Sequence, residues 1–186
     1  MRNLPALAVV SLLALSLSGC AEEPPEIDST PLPTVASAPY ICDQIPLRAV
    51  ELMTGARDPL VRGYFNLTAA GGLGEGTCAA YRRDGEREKV LTVMLTPDGD
   101  DTIVREHLDD QGTLPLPEIV PGASGYYFAS EYDDVVGAAA LMVRGRSRVT
   151  VDLDIGVKGR DNAADVVALM RLVAPRLFTD ASAREE

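Results

Sequence analysis

An alternation near the C-terminal end of the chain constrains the fold more than any other stretch. Residues 148–155 place Val, Val, Leu and Ile at every second position, with Arg, Thr, Asp and Asp between them. Successive side chains of a strand point to opposite faces of a sheet, so this pattern predicts a strand with one buried and one solvated face. Such a strand requires neighbouring strands and a layer that covers its apolar face.

Three amphipathic segments separate the strand candidates and predict helices. The first spaces apolar residues three apart and ends at Gly55, a residue suited to the left-handed position after a helix. Asp100 is expected to cap the second helix, and Asp161 or Asn162 the third. Pro175 lacks a backbone donor and is expected to end or kink the third helix.

The remaining strand candidates are short apolar segments bounded by turn residues. With the alternating stretch, they cover residues 64–67, 77–82, 89–96, 124–130 and 148–155. Residues 135–144 are ambiguous, because their alanines suit a helix whereas Gly137 favours a strand. Hairpin connections favour antiparallel pairing. The sequence therefore predicts one α+β domain over residues 41–179, with an antiparallel sheet of about five to six strands and helices packed on one face.

The N-terminal residues resemble an export signal. Arg2 precedes an apolar run over residues 4–17, shorter than the roughly 20 residues that a spanning helix needs. The run ends in Leu17-Ser18-Gly19-Cys20, which resembles the lipobox of bacterial lipoproteins. The resemblance implies that residues 1–19 are removed as a signal peptide and that acyl chains on Cys20 hold the protein at the extracytoplasmic face of the cell membrane. An ordinary cleaved signal peptide is the alternative.

The net charge of the chain argues against some classes of binding partner. The chain carries 17 Lys and Arg against 28 Asp and Glu, a net charge of −11. Such a chain is repelled by nucleic acid and by anionic headgroups, so we expect no nucleic-acid partner and membrane contact only through the lipid on Cys20. Residues 20–40 are rich in Pro and Glu and predict a disordered tether, and residues 180–186 predict a flexible C-terminus.

Two cysteines remain beyond the lipidated one. Export places Cys42 and Cys78 where thiols oxidise, so they predict a disulfide between the start of the first helix and an early strand. A metal site and a nucleophilic cysteine are the alternatives, but His107 is the only histidine available to either. We expect no cofactor and no metal. His107 borders the apolar face of a predicted helix, which favours packing over general-base catalysis.

The first helix and the strand after it carry six residues arranged as in a known family: Cys42, Leu47, Val50, Leu52, Gly55 and Cys78. They resemble small actinobacterial cell-envelope lipoproteins of the mycobacterial type, a family of unknown function, over roughly residues 42–178. The resemblance implies an exported, disulfide-bearing domain and brings no catalytic residues. This chain departs from the family's frequent aromatic residue close after the second Cys, since Tyr81 is the only nearby one.

Aromatic and acidic residues are the remaining candidates for function. Tyr126 and Phe128 share one face of a predicted strand and, with Tyr132, form a possible ligand-binding surface. Paired carboxylates such as Asp152 and Asp154 suit glycan hydrolysis, although turns and helix caps explain most acidic residues. No catalytic motif is present. The sequence favours a non-enzymatic envelope lipoprotein that binds a ligand or partner. A cell-wall glycan hydrolase using paired Asp/Glu and a structural accessory subunit of an envelope complex are the alternatives.

Overall fold

The computed structural model describes residues 27–133 and 135–183. Within these residues the chain forms nine strands and three α-helices, with short 3₁₀ turns at Ala70–Gly72 and Ala181–Ala183. In chain order the elements are β1 (Tyr40–Ile41), β2 (Ile45–Pro46), α1 (Leu47–Thr54), β3 (Leu60–Asn66), β4 (Glu75–Tyr81), β5 (Lys89–Thr96), α2 (Asp101–Leu108), β6 (Leu114–Pro115), β7 (Ser124–Tyr132), β8 (Val135–Arg144), β9 (Ser147–Leu153) and α3 (Asn162–Leu177).

Seven strands form one antiparallel sheet in the order β3-β4-β5-β9-β8-β7-β6, and β1 pairs with β2 in a separate ribbon. The predicted antiparallel α+β architecture is confirmed at this level. The main sheet has seven strands in the described residues where we expected five to six. The additional strand, β6, is two residues long and contains Pro115, so it offers no alternation to detect.

Residues 135–144, ambiguous from sequence alone, form β8 between β7 and β9. Ala138 and Ala140 face the side of the sheet on which α3 packs, and both are buried there. Their small side chains let the helix lie close to the strand. The alanines that suggested a helix therefore serve a helix–sheet contact instead.

The alternation in β9 divides the sheet into two faces as predicted. Val149, Val151 and Leu153 are buried beneath α1 and α3, in register with apolar residues of β5. On α3, Met170 and Leu177 are fully buried in the same core. Each such side chain contributes about 1.5–3 kcal/mol when removed from water, so the packing between α3 and the sheet stabilises the fold substantially. We call this side of the sheet the helix face and the opposite side the open face.

One helix lies on the other side of the sheet from the place we expected. Val104 of α2 packs against Tyr126, Leu141 and Val143, whose side chains project from the open face of β7 and β8. The prediction that all helices pack on one face is therefore wrong for α2. These strand residues form an apolar patch on the open face, and a helix that covers it removes that patch from water.

The folded part begins before the predicted boundary at residue 41. Leu32 is 7% exposed and belongs to the main core, and the Arg160 Nη1 donates to the backbone carbonyls of Asp28 and, at 3.1 Å, of Thr30. The predicted disordered tether therefore does not extend through residues 28–39, because an apolar anchor and a buried arginine hold them. Residues 20–26 of the predicted tether, Cys20 among them, lie outside the described residues.

At the C-terminal end, Ser182 is fully buried and its Oγ donates to the Thr179 carbonyl at 2.7 Å. The predicted flexible segment is thus held against the domain as far as residue 183, and residues 184–186 lie outside the described part. Among the described helices, none combines the length and the hydrophobicity that crossing a bilayer would take.

Candidate functional site

The disulfide predicted between Cys42 and Cys78 is confirmed. The two Cα atoms lie 6.1 Å apart, and the bond joins the turn before α1 to the helix face of β4. Cys78 is 1% exposed. Because both sulfur atoms are bonded and packed, neither is free to act as a nucleophile or to bind a metal. Within residues 27–133 and 135–183, no three His, Cys, Asp or Glu side chains come together as a metal site requires.

The aromatic residues singled out on β7 share the open face of the sheet. Tyr126 stacks with two other rings. The centroid of its ring lies 4.8 Å from that of His107, with the two ring planes nearly parallel, and 6.4 Å from that of Phe128. Tyr126 is 6% exposed beneath α2, and this burial raises the pKa of its hydroxyl. Tyr132, at the far end of β7, is 78% exposed. The accessible part of the predicted ligand surface is therefore Phe128 and Tyr132.

His107 has a packing role in α2. Its Nδ1 lies 2.9 Å from the Ile103 carbonyl oxygen, to which a protonated Nδ1 donates, and its ring stacks on Tyr126. Both contacts fix the ring between the helix and the sheet. This geometry agrees with the expectation that His107 is structural.

The acidic residues near β9 have different environments. Asp154 forms an ion pair with Lys89 at 3.4 Å and accepts from the Thr92 hydroxyl at 3.5 Å. The side chain of Asp152, on the open face, makes no hydrogen bond or ion pair within the described part of the chain. Burial is the main cause that raises the pKa of Asp152, and the charge of Asp154 adds to it. Other carboxylates have local roles, as when Asp100 accepts from the Thr102 amide at the start of α2.

A cleft of about 820 Å³ opens at one end of the sheet. It lies between the loop after α1, the turn after β4, the start of β8 and the loop after β9. Among the described residues, its charged lining consists of Arg57, Arg82, Arg83 and Lys158 against one carboxylate, Asp84. Its apolar lining consists of Ala56, Val135, Val136, Ile155 and Val157. We call this site the basic cleft.

The wall of the basic cleft is attached to α1. Gly55 ends that helix with a φ of +69°, and a Cβ at this position would lie 3.2 Å from the Val157 Cγ2. The Val157 amide also donates to the Met53 carbonyl at 3.2 Å. The Gly55 predicted from sequence as a helix end therefore also lets the loop after β9 approach and form one side of the cleft.

Two of the arginines are oriented by carboxylates that do not themselves line the basic cleft. The Arg83 Nη2 lies 3.0 Å from the Asp58 carboxylate, and its Nε donates to the Asp58 carbonyl at 3.0 Å. The Arg82 Nη1 lies 3.3 Å from the Glu88 carboxylate. Arg57 makes no ion pair or hydrogen bond within the described residues. The cleft therefore combines two oriented guanidinium groups with one that has no partner there.

A second cleft of about 860 Å³ adjoins the first and shares Gly55, Arg57, Val157 and Lys158 with it. Its other charged residues are of both signs and include Arg48, Glu51 and Asp58. Arg57 therefore stands on the border between a basic region and a mixed one. Sequence reasoning missed the basic cleft because its cations come from three separate loops, and the Arg82-Arg83 pair was the only local signal.

The described lining of the basic cleft provides groups for binding but no pair for nucleophilic catalysis. Thr54 has the only hydroxyl side chain there, and this hydroxyl is buried and donates to the Val50 carbonyl at 2.7 Å. A nucleophile needs an adjacent base, and no histidine lines the cleft. No protein-family model, no curated protein and no solved structure matches the chain.

Proposed function

We propose that the protein is a lipid-anchored lipoprotein of the extracytoplasmic membrane face that binds an anionic, partly apolar ligand without converting it. The basic cleft is the binding site in this proposal. The observation that carries it is the concentration of four cationic side chains at one concave site of a chain whose net charge is −11. Four cations against the carboxylate of Asp84 make the described lining predominantly positive, and a concave site with an excess of one charge attracts ligands of the opposite sign.

The side chains of the basic cleft suit such a ligand in two ways. Guanidinium groups present planar sets of donors that match carboxylate and phosphate oxygens. Solvent-exposed ion pairs with Asp58 and Glu88 favour the observed orientations of Arg83 and Arg82, so part of their side-chain entropy is lost before a ligand binds. Val135 and Val157 lie beside these charges and offer an apolar surface to the rest of the ligand.

Binding of a simple anionic amphiphile tests the site. Isothermal titration of the full chain with dodecyl phosphate, below its micelle concentration, should show binding that is absent with dodecyl trimethylammonium. The double variant Arg57→Gln/Arg83→Gln should bind about tenfold more weakly or worse, because charge-assisted hydrogen bonds contribute about 1.5–3 kcal/mol each. Arg171→Gln, on the exposed surface of α3, is the matched control. Equal affinity of the double variant and this control would reject the site.

The anchor is tested separately. Cys20→Ala should move the protein from the membrane fraction to soluble or unprocessed material, since two acyl chains give stable attachment and none remains in the variant. Intact-mass analysis of the wild-type N-terminal peptide should show the lipid on Cys20. A wild-type peptide without that mass would remove the anchor from the proposal and leave the ligand site unaffected.

The glycan hydrolase is a second candidate because of the two carboxylates at the end of β9. A glycosidase uses two carboxyl groups in different environments, and here burial raises the pKa of Asp152 while Asp154 forms an ion pair with Lys89. Phe128 lies in the same row of the open face, two strands away. Release of reducing ends from cell-wall glycan by the wild type, lost in Asp152→Asn, would establish this activity in place of simple binding.

A further inference from the structure

The outer edge of β3 has no partner strand in the described part of the chain. Its inner edge pairs with β4 over all seven residues from Leu60 to Asn66, without a bulge. The other edge of the sheet, β6, has two residues, one of them Pro115. Soluble proteins usually protect a free edge by shortness, proline, charged side chains or a bulge. The edge at β6 is short and contains a proline, whereas β3 is long and unbulged and has Arg62 as its one charged residue.

The side chains of β3 are unusual for a strand edge facing water. Arg62 is its only charged residue, and Tyr64, next on the same face, is 72% exposed. Val61 is also exposed, and Phe65 lies on the same face as Val61, partly buried. The strand therefore presents apolar and aromatic groups on both faces beside unpaired backbone donors and acceptors. A free edge of this composition is suited to pairing with another strand.

We propose that β3 pairs in antiparallel fashion with β3 of a second copy of the chain, about a two-fold axis at Gly63. In this register Arg62 lies opposite Tyr64 of the second copy, Val61 opposite Phe65, and Leu60 opposite Asn66. It is the only antiparallel register in which all seven residues of both strands are paired. The two seven-stranded sheets then continue into one another.

The chemistry of β3 is complementary to itself in this register. Each Arg62 meets a tyrosine ring of the other copy, which gives two cation–π contacts across the axis. Arg62 lies 5.5 Å over the ring of Tyr81 on β4, the inner neighbour of β3, so its guanidinium must rotate outward to meet Tyr64 of the second copy. A shift that places Arg62 opposite Arg62 of the second copy sets like charges against each other. A shift the other way leaves residues at both ends unpaired.

The symmetry suits two chains attached to one surface. The axis of an antiparallel strand pair is perpendicular to the sheet, so both copies turn the helix face to the same side. The Asp28 carboxylate lies 3.4 Å from the Arg48 guanidinium of α1, which places the N-terminal segment of each copy on that side. A seven-residue edge is about 23 Å long. A single strand pair of this length is a small contact beside the roughly 1,200–2,000 Å² of a standard interface, so confinement of both chains to one surface would strengthen it.

Disulfide trapping of two full-length variants tests the register. Co-expressed chains carrying Leu60→Cys and Asn66→Cys, oxidised in membranes with copper–phenanthroline, should form a disulfide-linked heterodimer between these positions. Each variant expressed alone should give at least tenfold less dimer, because two copies of the same position lie about 20 Å apart in this register. No heterodimer, or equal dimer from either variant alone, would overturn the proposal, as would a bond to a different protein.

A third substitution tests the contact itself. Tyr64→Lys, added to both trapping variants, places two cations opposite each other and should reduce the heterodimer at least tenfold. Tyr132→Lys is the matched control, because Tyr132 is equally exposed but lies at the far side of the sheet. Sedimentation equilibrium of chains without the trapping cysteines gives a second measurement: the wild type should self-associate and Tyr64→Lys should not. Identical sedimentation of both at high concentration would also overturn the proposal.

Discussion

Replacing both Cys42 and Cys78 by Ala should lower the free energy of unfolding by about 4 kcal/mol. The disulfide spans a sequence separation of 36 residues. In the chain-entropy model, closing a loop of this length removes about 13 cal/mol/K from the unfolded chain, which corresponds to about 4 kcal/mol at 25 °C. Single domains are typically stable by about 5–15 kcal/mol, so the loss is a large fraction of the total. The melting temperature should fall by roughly 8–16 °C.

Three samples separate the cross-link from the packing of the sulfur atoms. Urea unfolding followed by far-UV circular dichroism should give nearly the same loss for the reduced wild type and for Cys42→Ala/Cys78→Ala. Any further loss in the double variant reports the packing around Cys78, which is buried in the main core. Cys20→Ala, which leaves the bond intact, is the matched control and should unfold like the oxidised wild type.

A reduced wild type within about 1 kcal/mol of the oxidised protein would refute this reasoning. It would mean that the segment between the two cysteines stays close to its native form when the domain unfolds. The structure argues against that outcome, because this segment consists mainly of the eight-residue α1, the glycine-rich turn at Ala70–Gly72 and β3, whose only strand partner in the described residues is β4. The buried side chains of α1 pack in the main core of the domain, so the segment has no separate core to hold it together after unfolding.

Three further substitutions should change stability in directions that the structure determines. Asp152→Asn should have little effect below about pH 3.8, because the raised pKa of folded Asp152 means that its ionisation favours unfolding. The variant should become more stable than the wild type as the pH rises to that folded-state pKa, with a constant difference above it, and parallel urea midpoints across pH would contradict this. Asp165→Ala should lower the free energy of unfolding, measured in urea, by about 3–5 kcal/mol. The Arg160 side chain is 4% exposed and donates to the Asp165 carboxylate through two nitrogens at 2.8 Å, so the variant leaves a buried cation without this counter-charge. Met170→Ala should cost about 2–5 kcal/mol by creating a cavity in the core, whereas the exposed neighbour Arg171→Ala should change calorimetric stability by less than about 0.5 kcal/mol.

The elements with strong periodicity were predictable, because a single buried face determines their pattern. The alternation in β9 and the helix end at Gly55 both follow from local chemistry, and the structure has them where the sequence indicates. The position of α2 was not predictable in the same way. Its apolar residues Ile103 and Val104 show that it packs on something, but not on which face of the sheet.

Two other features depend on contacts between residues that are distant in sequence. Leu32 is an isolated apolar residue among prolines, and only the folded core shows that it is an anchor. The basic cleft brings Arg57, Arg82 and Lys158 together from three loops, each of which alone resembles an ordinary solvated turn. Composition predicted a tether and a net negative charge, but it could not show where the tether ends or where the positive charges gather.

The hydrogen bonds from Arg160 to the backbone carbonyls of Asp28 and Thr30 shorten the linker between the membrane anchor proposed at Cys20 and the folded domain. With Cys20 acylated as proposed, only about eight residues separate the lipid from the first held residue, and a chain of that length reaches at most about 29 Å. The domain then samples a thin layer next to the bilayer. Ligands in that layer are within its reach, whereas those in the outer part of a thick envelope are not.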